Sequence, residues 1–428
     1  MRKEKIYIHV LLTFSLGVSG LSAQAPYSLA DCKQLAIENN RKIKNSRLEI
    51  DAAEQTKKEA FTNFFPSVNA SGFGFKAKDP MVAMQMGEMP IALLDDGLTG
   101  AVTLTQPVFV GGKIIHGNKL AIIGTEISRF QAKLSENEVL LTTEGLYWQL
   151  VSLLEKGKTL DIIDNQLDAL LKDVEVSYKA GLIMRNDVLK VQLKKNEVKS
   201  NRINLENGIK LVKMSLCQQM GLELGASDQF EIVRPAIEHA ESPVLYYVDH
   251  QEALSGRMEA KLLDKNVEAS VLQTRMKQGD YLPTVAVGAT YYQENFLNRW
   301  NGNGAVFVSV NIPLSGWWGG SHAIKNQRIK ERIAYNRKVD AEEQLLLQMQ
   351  KVKNELDDAY KQIMLANEAV EQSNENFRLN TDYYKAGTVT LTDMLDAQTL
   401  LQQSRDKYVE TYCNYEKKIF EYQQVTGR

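Results

Sequence analysis

Two aspartates each stand six residues beyond a glycine, in two copies of one tetrapeptide. Tyr178-Lys179-Ala180-Gly181 leads to Asp187, and Tyr384-Lys385-Ala386-Gly387 leads to Asp393. A carboxylate just past a turn can accept from the free amides of a starting helix, so the first chemistry to expect is capping. Thr390-Leu391-Thr392-Asp393 reads as a variant of the capping box. Gly181 and Gly387 supply the positive-φ position that closes the preceding helix. No catalytic set accompanies these residues. His9, His116, His239, His250 and His322 have no metal-ligand spacing, and there is no P-loop, GxSxG or HExxH motif. "GFGF" at 72–75 lacks the third glycine of a dinucleotide fingerprint. Asp95-Asp96 read as solvated loop charge, with calcium binding as the alternative. The expectation is a protein that is not an enzyme and carries no cofactor and no metal.

The frame that holds these turns is long. The chain has 428 residues and a formal net charge of −2, which gives nucleic acid no electrostatic footing. Gly and Pro are sparse and 24% of residues are charged, a balance that suits long helices. Arg2, Lys3 and Lys5 precede an apolar stretch from Ile6 to about Leu21, and Ser22-Ala23 supplies small residues before Gln24. This predicts a secretory leader, residues 1–23, with export of the remainder. Cys32, Cys217 and Cys413 are too few and too far apart for a disulfide framework or a zinc site. Beyond the leader no apolar run reaches 18 residues. A membrane-spanning form would therefore need a closed β-barrel.

The chain is a tandem repeat. Tyr178 recurs as Tyr384, 206 residues on, and the same offset carries Asp187 to Asp393, Gln192 to Gln398, Gly221 to Gly427 and Pro107 to Pro313. Upstream, "FFPSV" returns as "YLPTV" with an offset of 217, from Pro66 to Pro283. The difference falls in the Met-rich stretch at 79–97, read as a lengthened loop tip. The predicted order in each copy is helix, strand, loop, strand, very long helix, YKAG turn, helix. Residues 24–221 form the first repeat and 250–428 the second. Residues 222–249, with Pro235 and Pro243, make a connector at mid-height.

Strands are expected at 67–77, 98–107, 284–293 and 305–313, and the second and fourth show period-two alternation. Helix-compatible sequence without proline runs from about Lys113 to Tyr178 and from about Ser321 to Tyr384. Some 65 helical residues span roughly 95–100 Å. Shorter helices, two per long one, would stack end to end beside them: Thr390–Gln423 with the N-terminal helix, and Asn186–Gln219 with His250–Tyr281. The fold class is mainly α with a small β part. Four strands cannot close a barrel, and open edges are not tolerated in lipid. Three copies in cyclic symmetry would pool twelve strands.

The sequence resembles the TolC-like outer-membrane efflux proteins over nearly all of its length beyond the leader. The residues that carry the resemblance are the opening helix Leu29 to Asn40, "FFPSV" and "YLPTV", "QPVFVGGK", "IPLSGWWGG", the two YKAG turns and "LTDMLDAQTLL". The resemblance implies a homotrimer in the outer membrane of a Gram-negative bacterium, with a helical tunnel reaching through the periplasm. It also implies two partners, a periplasmic adaptor and an inner-membrane transporter, in an efflux or a type I secretion system. The turns then become the far tip. Asp393 and Asp396 match the acidic residues that line the mouth, where three copies would make cation-binding rings. Asp187 and Tyr384 match a polar link between hairpins. A second link uses an arginine where this chain has Val389, so that part of the lock is absent unless Arg185 on the first hairpin replaces it. Lys179, Gly181, Leu182, Lys385, Gly387 and Thr388 would flank the adaptor surface. Trp317 and Trp318 would lie at the headgroup level or pack on a neighbouring helix. A periplasmic coiled-coil rod without a barrel is the competing expectation.

Overall fold

The computed structural model describes residues 26–428, apart from 80, 87–88, 95, 238–239 and 296–298. The expected leader lies outside the described residues. Helices α1 (Leu29–Asn39) and α2 (Arg41–Thr62) lead into strand β1 (Ser67–Lys76). Strands β2 (Val82–Met86) and β3 (Met89–Leu94) precede β4 (Asp96–Val110) and the 67-residue helix α3 (Lys113–Lys179). Helix α4 (Arg185–Gln219) returns from the first YKAG turn. The connector holds two short 3-10 turns and a parallel bridge between Tyr27 and Ile232. The second half repeats the order: α5 (His250–Gly256), α6 (Met258–Gly279), β5 (Thr284–Asn295), β6 (Trp300–Asn311), the 70-residue α7 (Gly316–Lys385) and α8 (Leu391–Val425). At 1.5 Å per residue the two long helices are each about 100 Å.

Four details differ from the sequence reading. The helix that opens each repeat is broken, at Asn40 and at Arg257, equivalent positions under the 217-residue offset. Asn40 sits at ψ 131 and caps α2 by accepting from the Lys42 amide, and its own side-chain amide donates to Gln219 O at 2.7 Å. The Met-rich stretch is a hairpin, β2 with β3, rather than a plain loop. Helix α7 starts at Gly316, so Trp317 and Trp318 lie in its first turn; Trp317 Nε1 donates to Tyr281 O at 2.9 Å and both indoles stay exposed. The stacking partners are also exchanged. Helix α4 ends against α1 and α2, where a Cβ on Gly221 would lie 2.5 Å from Asn39 O, and α8 ends against α5, with Gly427 beside Gly256. Length arithmetic could not choose, because the short helices have similar lengths.

Burial follows the repeat. At mid-height Leu150, Leu216, Met220, Met349, Leu356, Tyr415 and Tyr422 are fully buried in one cluster that also holds the three cysteines. Each such aliphatic side chain contributes about 1.5–3 kcal/mol. A second cluster near the turns joins α3, α4 and α8 through Leu167, Val174, Val191 and Leu391. No described helix is long and apolar enough to cross a membrane.

The four main strands form one antiparallel sheet in the order β1-β4-β5-β6. The register obeys the duplication. Ser67 pairs with Thr105, and the shifted positions Thr284 and Asn311 pair too; Gly74↔Leu98 becomes Tyr291↔Gly304. One face carries Val68, Leu98, Val102, Leu104, Val306, Val308 and Val310. These are exposed, Val306 at 87% and Val308 at 69%. The other face carries Ser and Thr, and Thr103 Oγ1 meets Thr290 Oγ1 at 3.0 Å across two strands. Phe73, Phe75 and Phe307 interrupt that polar row, and Phe307 covers Gly288, its cross-strand partner; a Cβ there would lie 2.4 Å from the ring. An apolar exposed face backed by a polar one is the pattern of a barrel wall between lipid and water.

Candidate functional site

The two YKAG turns are built alike from backbone geometry. Gly181 (φ 74°) and Gly387 (φ 76°) end α3 and α7 in the left-handed region. The Gly181 amide donates to Tyr178 O and the Leu182 amide to Ser177 O, both at 2.9 Å. Gly387 and Thr388 repeat the pair on Tyr384 O and Tyr383 O. This is the Schellman closure, which satisfies carbonyls that a helix end leaves free. A Cβ added to either glycine would meet no atom within 4 Å, so the turns need glycine for φ alone. Lys179, Gly181, Leu182, Lys385, Gly387 and Thr388 are all exposed at the turns, and Leu182 is 77% exposed.

Asp393 opens α8. Its Oδ2 accepts from the Thr390 amide at 2.9 Å and from Thr390 Oγ1 at 2.6 Å, while its amide donates to Thr390 Oγ1 at 3.2 Å. The hydroxyl and amide of Thr390 hold its carboxyl below the usual carboxylate range. The capping expectation is met, and the side chain remains exposed. Asp396 stands one turn along the same face and is also exposed. The pair therefore offers two carboxylates to solvent at the same end of the molecule.

Asp187 lies in the first turn of α4 and pairs with Lys190 at 3.4 Å. Tyr384 is half-buried against the lower cluster, and its phenol is pushed up by burial and by the nearby Asp187 and Asp173 carboxylates. Among the described residues there is no hydrogen bond between Tyr384 and Asp187 within the protomer. Arg185 is exposed and forms no ion pair among the described residues.

Sequence reasoning missed what joins the hairpins. Lys190 Nζ donates to Thr392 Oγ1 at 3.0 Å, and Gln398 Nε2 donates to Gln166 Oε1 at 2.8 Å. A signal existed for the second: under the 206-residue offset Gln166 and Gln372 match, as do Gln192 and Gln398. Further up α8, Asp406 is half-buried with Oδ1 unbonded, and desolvation raises its carboxyl to about 6. No cluster of His, Cys, Asp or Glu among the described residues could hold a metal ion.

The model of the outer membrane efflux protein family matches residues 33–221 and 250–417. No curated relative matches this sequence. Solved structures match along nearly the whole chain. The outer membrane protein VceC from Vibrio cholerae aligns with a TM-score of 0.78 at 15% identity, covering 93% of this chain and 96% of its own. The CmeC outer membrane channel of Campylobacter jejuni gives 0.81 at 12%, covering 93% and 85%. The MtrE outer membrane channel of Neisseria gonorrhoeae, in its open state, gives 0.75 at 12%, covering 93% and 88%. At such identities the structural matches speak for the fold, and the family match adds the lineage. The chain belongs to the outer membrane efflux protein family, seated in the outer membrane and extending into the periplasm.

Proposed function

We propose that three copies of the chain close one twelve-stranded barrel, and that their helices continue it as a passive exit duct gated at the YKAG end. The observation that carries this reading is the sheet. It presents an apolar face, yet among the described residues β1 and β6 leave both its edges unpaired within the chain. Unpaired backbone groups are not sustained in lipid, so the edges call for further strands. The apolar face counts against a barrel-less periplasmic rod.

Gating is assigned to the tip because the exposed carboxylates gather there. Three copies would place Asp393 and Asp396 in two rings, which favour cations and bind multivalent ones. A periplasmic adaptor would grip the exposed turns around Leu182 and Thr388, and an inner-membrane transporter would supply the energy. The test begins with detergent-solubilised full-length protein. A trimeric mass, heat-dependent migration on denaturing gels and single-channel current across a planar bilayer are expected. A monomer without current in any detergent would remove the reading.

A further inference from the structure

The first repeat carries a segment that the second does without, and it is rich in methionine. Both repeats turn back between two main strands, the first through residues 77–95 and the second through 296–299. The longer turn contains the β2–β3 hairpin, and four of the chain's 13 methionines, Met81, Met84, Met86 and Met89, fall inside it. Closing the sheet does not require them, because the second repeat turns back with no methionine at all. The register then sorts them. Met86 pairs with Met89 and Met84 with Ile91, while Ala83 pairs with Ala92 and Gln85 with Pro90. Residues two apart on a strand, and residues paired across a ladder, share a face. Met84, Met86 and Met89 therefore stand on one face, and the other face has no methionine. Paired positions lie about 5 Å apart and diagonal ones about 7–8 Å. Methionine has three rotatable bonds, so positions at these spacings can serve one centre.

We propose that this hairpin is a binding site for a monovalent soft metal ion, Cu(I), with Met84, Met86 and Met89 as its sulfur ligands. Thioether sulfur is soft and uncharged. It selects Cu(I) among the common metals, and it offers no negative charge to offset a second positive one. Harder ions find nothing equivalent, since no group of His, Cys, Asp or Glu among the described residues could hold a metal. A hairpin that merely rested on lipid would need large apolar residues of any kind. Here three of the four positions nearest the tip on that face are methionine, and the fourth is Ile91. The hairpin leaves the sheet beyond the Lys76↔Asp96 pair, at the end away from α2 and α3. The proposal rests on the duct reading above for one point, that this end is the exterior mouth, where the site holds Cu(I) at the exit.

The test uses the full-length protein in detergent, titrated with Cu(I) under ascorbate and argon in competition with the colorimetric chelator bicinchoninate. One Cu(I) per chain is expected at the hairpin, with no competition from Zn(II). Met84→Leu, Met86→Leu and Met89→Leu should each weaken binding by about 10-fold or more, and the triple variant should lose that ion. Leucine keeps the volume and the apolar character, so the variants should fold as before. The three buried cysteines remain in every variant, so copper that the triple variant still binds belongs to thiols. An unchanged stoichiometry in the triple variant, or no Cu(I) bound by the unsubstituted protein, overturns the proposal. Trimeric mass and single-channel current are read on the same samples and should be the same with and without the three methionines. A monomer without current in the unsubstituted protein strikes the duct reading, while the copper titration still decides the site.

Discussion

Lys190 and Thr392, 202 residues apart, meet at 3.0 Å where α4 and α8 approach each other above the YKAG turns. Lys190 also pairs with Asp187, so one ammonium ties the start of α4 to the start of α8. The bond is exposed and contributes about 0–1 kcal/mol. Lys190→Met should leave the melting temperature nearly unchanged while raising single-channel open time. An unchanged open time would mean that the hairpins are held elsewhere.

Asp393 and Asp396 should be read by cation block. Asp393→Asn with Asp396→Asn is expected to abolish block by multivalent cations, and full block in the double variant would exclude them from the mouth. The Thr390 bonds lower the Asp393 pKa, so its capping contribution is present above the unfolded value and fades as pH falls through the folded one. Acidification to ordinary carboxylate pKa values should therefore leave the start of α8 largely folded.

Glycines that close helices at positive φ should differ in what they tolerate. Gly181→Ala meets no atom within 4 Å and bears only the strain of φ 74°, about 1 kcal/mol. Gly221→Ala combines φ 69° with a Cβ 2.5 Å from Asn39 O and should cost about 3 kcal/mol or more. Thermal unfolding of the two variants gives the ranking directly; equal losses would contradict it.

Asp406 should make stability fall as pH rises. Its carboxyl is raised to about 6 by desolvation, so the folded chain holds an extra proton between about pH 4 and 6. Stability therefore drops through that window and stays lower above it. Asp406→Asn should gain on the order of 1 kcal/mol at pH 7.5, after discounting for partial exposure, and almost nothing at pH 4. Paired melts at the two pH values test the sign.

The three thiols should be inert. Burial pushes Cys32 and Cys413 up to about 12 and raises Cys217 as well. A maleimide at neutral pH should label none of them in the folded protein and all three after denaturation. Labelling of the native form would show that the mid-height cluster opens.

Much of this molecule was legible before folding. The duplication, the two long helices, the four strands and the glycine turns follow from local rules: a positive φ needs glycine, proline ends a helix, and alternation marks a strand with two environments. Asp393 declared its cap because its partner Thr390 is three residues away. The breaks at Asn40 and Arg257 were not legible, because the contacts that hold them reach far along the chain: Asn40 donates to Gln219 O and Arg257 donates to Gln348 Oε1. The same holds for the stacking of α4 on α2, the Lys190–Thr392 bond and the burial of Asp406. Local sequence determined the long helices, the four main strands and the glycine turns. Which elements abut was decided by packing between residues roughly 90 to 290 positions apart, whose contacts depend on shape and leave no spacing to read.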